Sequence, residues 1–153
     1  MNLRELITAL GNALAGRRAS SLGGQWFRVS IPLPTWYANK RKMTYFTEAE
    51  IAGLDKELVA MLEMARHVAG VPFIINSGLR TPEDNEASGG KSDSAHLKGL
   101  AVDLRCLNSS DRYFMLKGLF KAGFKRIEVA TAHLHVDVAG DKAQNVCWLG
   151  VSN

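Results

Sequence analysis

Three of the four histidines in this chain fall in two short stretches that also hold aspartates. SAHLKGLAVDL, residues 94–104, places His96 seven positions before Asp103, and HLHVD, residues 133–137, holds His133 and His135. Two imidazoles and one carboxylate are the ligand set of a catalytic zinc, which keeps a fourth position open for water; a structural zinc more often takes four protein ligands, rich in Cys. The intervening residues supply a geometry. Gly99 lets the chain turn sharply after His96. Residues 100–104 then alternate like a strand, so Asp103 lies opposite Val102 and Leu104. In HLHVDV the same period puts His133, His135 and Asp137 on one face and Leu134, Val136 and Val138 on the other. Two adjacent strands would then present Asp103 and His135 to one ion, with His96 entering from the preceding loop.

The elements that must hold these residues are readable in outline. Thr47-Glu48-Ala49-Glu50 has the form of a capping box. Ile51, Leu54, Leu58, Met61, Leu62, Ala65 and Val68 follow as one apolar stripe, with Gly70 as the stop, so a long helix is expected there. His67 falls toward its polar side and reads as a surface residue. A short strand is expected over residues 73–76, and a short helix from Pro82, which suits a first helical position. Residues 88–95 read as a flexible loop leading into His96. Ser109, Ser110 or Asp111 is expected to cap a second long helix with Tyr113, Leu116, Leu119 and Phe120 as its stripe and Gly123 as its stop. Residues 124–130 and 133–138 read as a hairpin, and the tail around Trp148 as docking on the domain. The expected fold is α+β: two main helices packed on a small, mostly antiparallel sheet that carries the metal.

Composition narrows the class. The 153 residues suit one domain with a sizeable core. No long charge-free apolar run could span a membrane. Leu3, Leu6, Ile7, Leu10 and Leu14 recur at helical spacing, so the N-terminus reads as an amphipathic helix rather than a signal peptide; Glu5 and the following Arg17-Arg18 also argue against a signal. Charge is uneven. Residues 1–46 hold Arg4, Arg17, Arg18, Arg28, Lys40, Arg41 and Lys42 against Glu5 alone, a balance of +6, and the remainder holds 12 basic and 14 acidic residues. The chain is therefore divided into a basic N-terminal helix and arm, residues 1–43, and a mildly acidic domain, residues 44–153. The basic part would approach anionic envelope polymers or be a solvated surface. Trp26, Phe27, Trp36 and Tyr37 read as an arm packed on the core, so no obligate nucleic-acid partner is expected. Cys106 and Cys147 belong to no CxxC pair and make no disulfide framework; they read as free thiols, with a pairing between them as the alternative.

Ser94-x-His96-x-x-Gly99-x-Ala101-x-Asp103, followed by His135-Val136-Asp137, resembles the zinc D-Ala-D-Ala carboxypeptidase family. That family includes phage L-alanyl-D-glutamate endopeptidases and shares its fold with the hedgehog signalling domain. The resemblance spans residues 44–150. It implies a zinc ion on His96, Asp103 and His135, and hydrolysis of peptidoglycan stem peptides. SGLRTPEDN, residues 77–85, resembles the family's upstream segment, which implies that Arg80 grips a stem-peptide carboxylate; the plain alternative is a surface turn residue. Ser94 either hydrogen-bonds the site or caps the turn. Many relatives have an acidic residue three positions before the last ligand, and here that position is Ala132. His133 is the favoured proton-transferring group and Glu128 the alternative. Asp137 would orient a ligand imidazole. The resemblance covers D-Ala-D-Ala carboxypeptidase and L-Ala-D-Glu endopeptidase types alike. It implies a phage-encoded lysis enzyme, made in the cytoplasm without a clear signal peptide and acting on the wall after phage-mediated release or as a virion component. The competing expectation is a non-catalytic, zinc-containing wall-binding or virion structural module.

Overall fold

The computed structural model describes residues 45–150. The expected N-terminal helix, the aromatic arm and the basic segment lie outside them. The described residues form an α+β fold. Helix α1 (Lys56–Ala69) is followed by strand β1 (Ile75–Ser77), helix α2 (Pro82–Ala87), a 3-10 turn (Ala95–Lys98), β2 (Ala101–Arg105), helix α3 (Ser109–Ala122), β3 (Arg126–Val129), β4 (His133–Asp137) and β5 (Val146–Leu149). The five strands form one sheet in the order β1-β2-β4-β3-β5. All pairings are antiparallel except β3 with β5, which is parallel.

Alternation in β2, β3 and β4 divides the sheet into two faces. Val102, Leu104, Ile127, Leu134 and Val136 are fully buried and form one core with Leu58, Leu62 and Ala65 of α1 and Met115 and Leu119 of α3. Asp103, Glu128, His133, His135 and Asp137 are out of phase with that set and therefore occupy the opposite face. Both helices thus back the sheet from behind the site.

The helix boundaries depart from expectation for identifiable reasons. The Thr47–Glu50 box forms, with Thr47 N donating to Glu50 Oε2 (2.8 Å) and Glu50 N to Thr47 Oγ1 (3.3 Å). It closes a separate turn, which ends before residue 54, and Asp55 caps α1 by accepting from Glu57 N and Leu58 N. Ile51 and Leu54 still pack against the core, so the apolar stripe continues across two elements. In α3 the cap is Asn108, one residue before the expected candidates: its side chain accepts from Asp111 N (2.8 Å) and donates to Asp111 Oδ2 (2.7 Å). The stripe also turns. Tyr113 and Phe120 are exposed, while Met115, Gly118 and Leu119 are buried. Gly118 explains the rotation: a Cβ there would overlap the carbonyl oxygen of Ala65 and meet Ala69 Cβ at 2.9 Å, so α3 approaches α1 through a bare backbone.

The first short strand begins at Ile75 rather than Phe73, whose ring is buried in the core. The tail is not merely docked but pairs as β5 on the outer edge of β3. Cys106 is buried and Cys147 exposed, and both are free.

Gly118→Ala tests the close helix approach. Alanine in a helix interior normally gains about 1 kcal/mol over glycine. Here a backbone carbonyl must move, so the expected result is a net loss of about 1–3 kcal/mol in urea denaturation. Gly140→Ala, where an added Cβ meets nothing within 4 Å, is the control and should stay within about 0.5 kcal/mol.

Candidate metal centre

The site begins with a register. Asp103 of β2 and His135 of β4 are direct partners across the antiparallel pair, so their side chains rise side by side from the same face. His96 enters from the 3-10 turn rather than from an open loop. Ser94 Oγ caps that turn by accepting from His96 N (3.3 Å). Gly99 ends it at φ 65, and a Cβ there would overlap the Gly53 carbonyl oxygen, so the reversal that brings His96 back over β2 requires glycine. One donor atom each from His96, Asp103 and His135 lies within 4.8 Å of the others.

Second contacts decide which atoms face inward. His96 Nδ1 lies 2.7 Å from the Gly78 carbonyl. A carbonyl only accepts, so Nδ1 carries the hydrogen and the neutral ring turns the Nε2 lone pair to the site. His135 is oriented the other way: Nε2 lies 3.3 Å from Asp137 Oδ2 and Nδ1 faces Asp103 Oδ1 at 2.9 Å. Asp103 divides its oxygens. Oδ1 meets the two imidazoles, and Oδ2 accepts from an Arg80 Nη2, whose Nε donates to Ser77 Oγ at 2.7 Å. Arg80 therefore leaves Asp103 one inward oxygen.

The donor set fits zinc. The inward atoms are separated by 2.9 Å (His135 Nδ1 to Asp103 Oδ1), 3.2 Å (His96 Nε2 to His135 Nδ1) and 3.3 Å (His96 Nε2 to Asp103 Oδ1). A tetrahedral ion with bonds of about 2.0–2.1 Å separates its donors by roughly 3.3 Å. Three protein donors of nitrogen and oxygen type match the catalytic form, and no cysteine takes part.

The electrostatics agree. Burial raises the Asp103 pKa, but hydrogen bonds from His135 and His96 outweigh it and hold the carboxyl well below its usual range. Burial lowers that of His135, but hydrogen bonds to Asp103 and Asp137 override it and push the imidazole up to about 9. For Asp137, burial is opposed by His135, Arg126 and Ala139 N, and the net shift is downward. The two carboxylates thus favour positive charge between them, the condition that a bound cation would meet.

The other residues marked in the sequence fall around this cluster. Glu128 of β3 is the direct partner of His135 on its other side. His133 pairs with Arg105, one pleat along β4 from His135. The Ala132 carbonyl accepts from Cys106 N at the turn before β4. His67 is exposed on α1, with its ring beside Tyr45 and far in sequence from the cluster.

A family model described as Peptidase M15 matches residues 37–137. The chain belongs to the Peptidase M15 family. The match spans every donor of the cluster, and the family's peptidases are zinc-dependent. A crystal structure of the L-Ala D-Glu endopeptidase ChiX from Serratia marcescens is similar at 21% identity and a TM-score of 0.46, covering 66% of this chain and 94% of that chain. No curated protein matches at a significant level. Among the described residues no helix is long and apolar enough to cross a membrane.

Three participants were not visible as such in the M15 motif residues. Gly78 acts through its carbonyl, which no residue type signals. Arg126 and Trp148 meet the site only because β3 and β5 pair beside β4: Arg126 Nε donates to Asp137 (2.8 and 2.9 Å), and the Trp148 ring lies 6.3 Å from that of His135.

The raised His135 pKa makes metal uptake a proton exchange. Zinc needs the neutral imidazole, which is scarce below about pH 9. Zinc affinity should therefore climb by about tenfold per pH unit across neutrality, from the release of one proton. Chelator competition at several pH values measures it. A flat profile across neutrality would show that the His135 imidazole is already neutral there.

Proposed function

We propose that this chain is a zinc-dependent peptidase that hydrolyses amide bonds in peptidoglycan stem peptides. The observation that carries the reading is the open three-donor cluster of His96, Asp103 and His135 in an M15 chain. Zinc, when bound, supplies an acidified water and polarises the scissile carbonyl. The remaining work falls to side chains of the same sheet face.

Arg80 binds the substrate's carboxylate. A guanidinium carries five N–H donors, and Ser77 and Asp103 take one each, so N–H groups remain to grip a carboxylate beside the scissile amide. Both bonds within this reading, L-Ala–D-Glu and D-Ala–D-Ala, leave such a carboxylate on the departing D-residue. Ser94 holds the turn that carries His96.

His133 moves the proton. It shares a face with His135, about 7 Å along the strand at the backbone, and an imidazole exchanges protons near neutral pH. It takes a proton from the attacking water or donates to the developing oxyanion. A second reading gives the proton to Glu128. Its favouring observation is the register, which sets Glu128 directly opposite His135, nearer at the backbone than His133. The enzyme acts on the wall, and a phage lysis system is the setting that the resemblance of its motifs implies. The basic segment, residues 1–43, adds attachment to anionic envelope polymers.

Two measurements test this. Purified peptidoglycan should release stem-peptide fragments that mass spectrometry resolves, and a chelator should stop the release; intact peptidoglycan with zinc-loaded protein would leave a wall-binding module instead. His133→Ala should keep zinc and fold while the turnover rate falls by about 10²–10⁴-fold with little change in KM, and Glu128→Gln should lose much less. Near-normal turnover in His133→Ala, beside an inactive Glu128→Gln, would move the role to Glu128.

A further inference from the structure

We infer that Arg126 is a positioning residue for the metal centre, acting through Asp137 on His135; this rests on reading His96, Asp103 and His135 as the zinc ligands. Asp137 is 2% exposed, and its carboxylate is held by contacts at both oxygens. Oδ1 accepts from Arg126 Nε (2.8 Å) and Ala139 N (3.0 Å). Oδ2 is 2.9 Å from Arg126 Nε and 3.3 Å from His135 Nε2. Among the described residues Arg126 is thus the one side chain that meets both oxygens, and it fixes the plane in which Oδ2 receives the imidazole hydrogen.

Arg126 is itself held from three sides. It stands one residue beyond the Ile127–Val136 pair, so the β3–β4 register delivers it to Asp137. Its Nη1 donates to the Ala143 carbonyl, which ties in the loop between β4 and β5. The Trp148 ring lies over the guanidinium, 5.2 Å from centroid to Cζ. A planar, forked cation suits these simultaneous demands, and a lysine ammonium would meet only one of them. Without the guanidinium, Asp137 retains Ala139 N alone as a fixed donor and is free to rotate. His135 Nε2–H then loses its aligned acceptor, and Nδ1 loses the orientation that points it at the ion. Partners that orient a ligand imidazole in this way typically account for about 10–100-fold in metal affinity.

A purely structural Arg126 would tie β3, β4 and β5 together without reference to the metal. A double-mutant cycle separates the two roles. The zinc dissociation constant is measured by chelator competition for the wild type, Arg126→Gln, Asp137→Asn and the double variant, with thermal midpoints in parallel. Each single variant should bind zinc about 10–100-fold more weakly, and the double variant no more weakly than the worse single one. Arg126→Lys, which keeps the charge, carries the cycle if Arg126→Gln does not fold, and should recover only part of the affinity. Additive losses, or a folded Arg126 variant with wild-type zinc affinity, would overturn the inference. A wild-type protein that binds no zinc would instead overturn the reading of the site beneath it.

Discussion

The direct pairing of Asp103 with His135 across two antiparallel strands is the constraint on which the rest of the structure depends. A metal centre needs its donors a few ångströms apart, and a paired position in a sheet delivers that spacing without any loop. It does so only in one register. Shifting β2 against β4 by one residue would turn Asp103 to the helix side and Val102 and Leu104 outward. The register is held by apolar burial, because Val102 and Leu104 of β2 and Leu134 and Val136 of β4 are fully buried against the helices. The core therefore does more than stabilise the domain. It decides which residues meet in the His-Asp-His cluster.

The third donor and the supporting contacts answer a different problem, the cost of gathering polar groups in a half-buried site. Each inward atom has a partner on its far side: the Gly78 carbonyl behind His96, Arg80 behind Asp103, Asp137 behind His135, and Arg126 behind Asp137. The chain of contacts runs across β2, β4 and β3, and the carboxylates of Asp103 and Asp137 each meet an arginine. It also sets orientation before any ion arrives, which is how protein sites hold ligands close to productive geometry. Because β1 supplies Ser77 and β5 supplies Trp148, even the outer strands bear on the centre.

What the sequence made legible follows from this division. Asp103 and His135 could be placed on one face because strand alternation is a local signal, and His96 was joined to them by residue type and by the turn at Gly99. Asp137 was legible too, as the next same-face residue in HLHVD. Gly99 could be read as a turn because only glycine tolerates what His96 requires there. Arg126 was not legible, since its role exists only through the pairing of β3 with β4. Nor was the parallel strand around Trp148, which is short and takes its order from β3. On the helices, Thr47–Glu50 had the right chemistry for a cap but caps a turn, because Asp55 offers a second cap where the chain re-enters a helix. The exposed Tyr113 and Phe120 show a tertiary effect overriding a local pattern: the close approach at Gly118 rotates α3 and turns those two rings outward.

Family membership and geometry converge on one centre, and the nature of its donors is the claim most open to direct test. Zinc K-edge X-ray absorption on the zinc-loaded protein reads those donors without mutation. The account predicts a first shell of nitrogen and oxygen at about 2.0–2.2 Å, with the multiple scattering of two imidazoles. A sulfur shell at about 2.3 Å, or the scattering of a third imidazole, would contradict it, placing Cys106, Cys147 or His133 on the metal in place of the ligand set derived from β2, β4 and the turn before them.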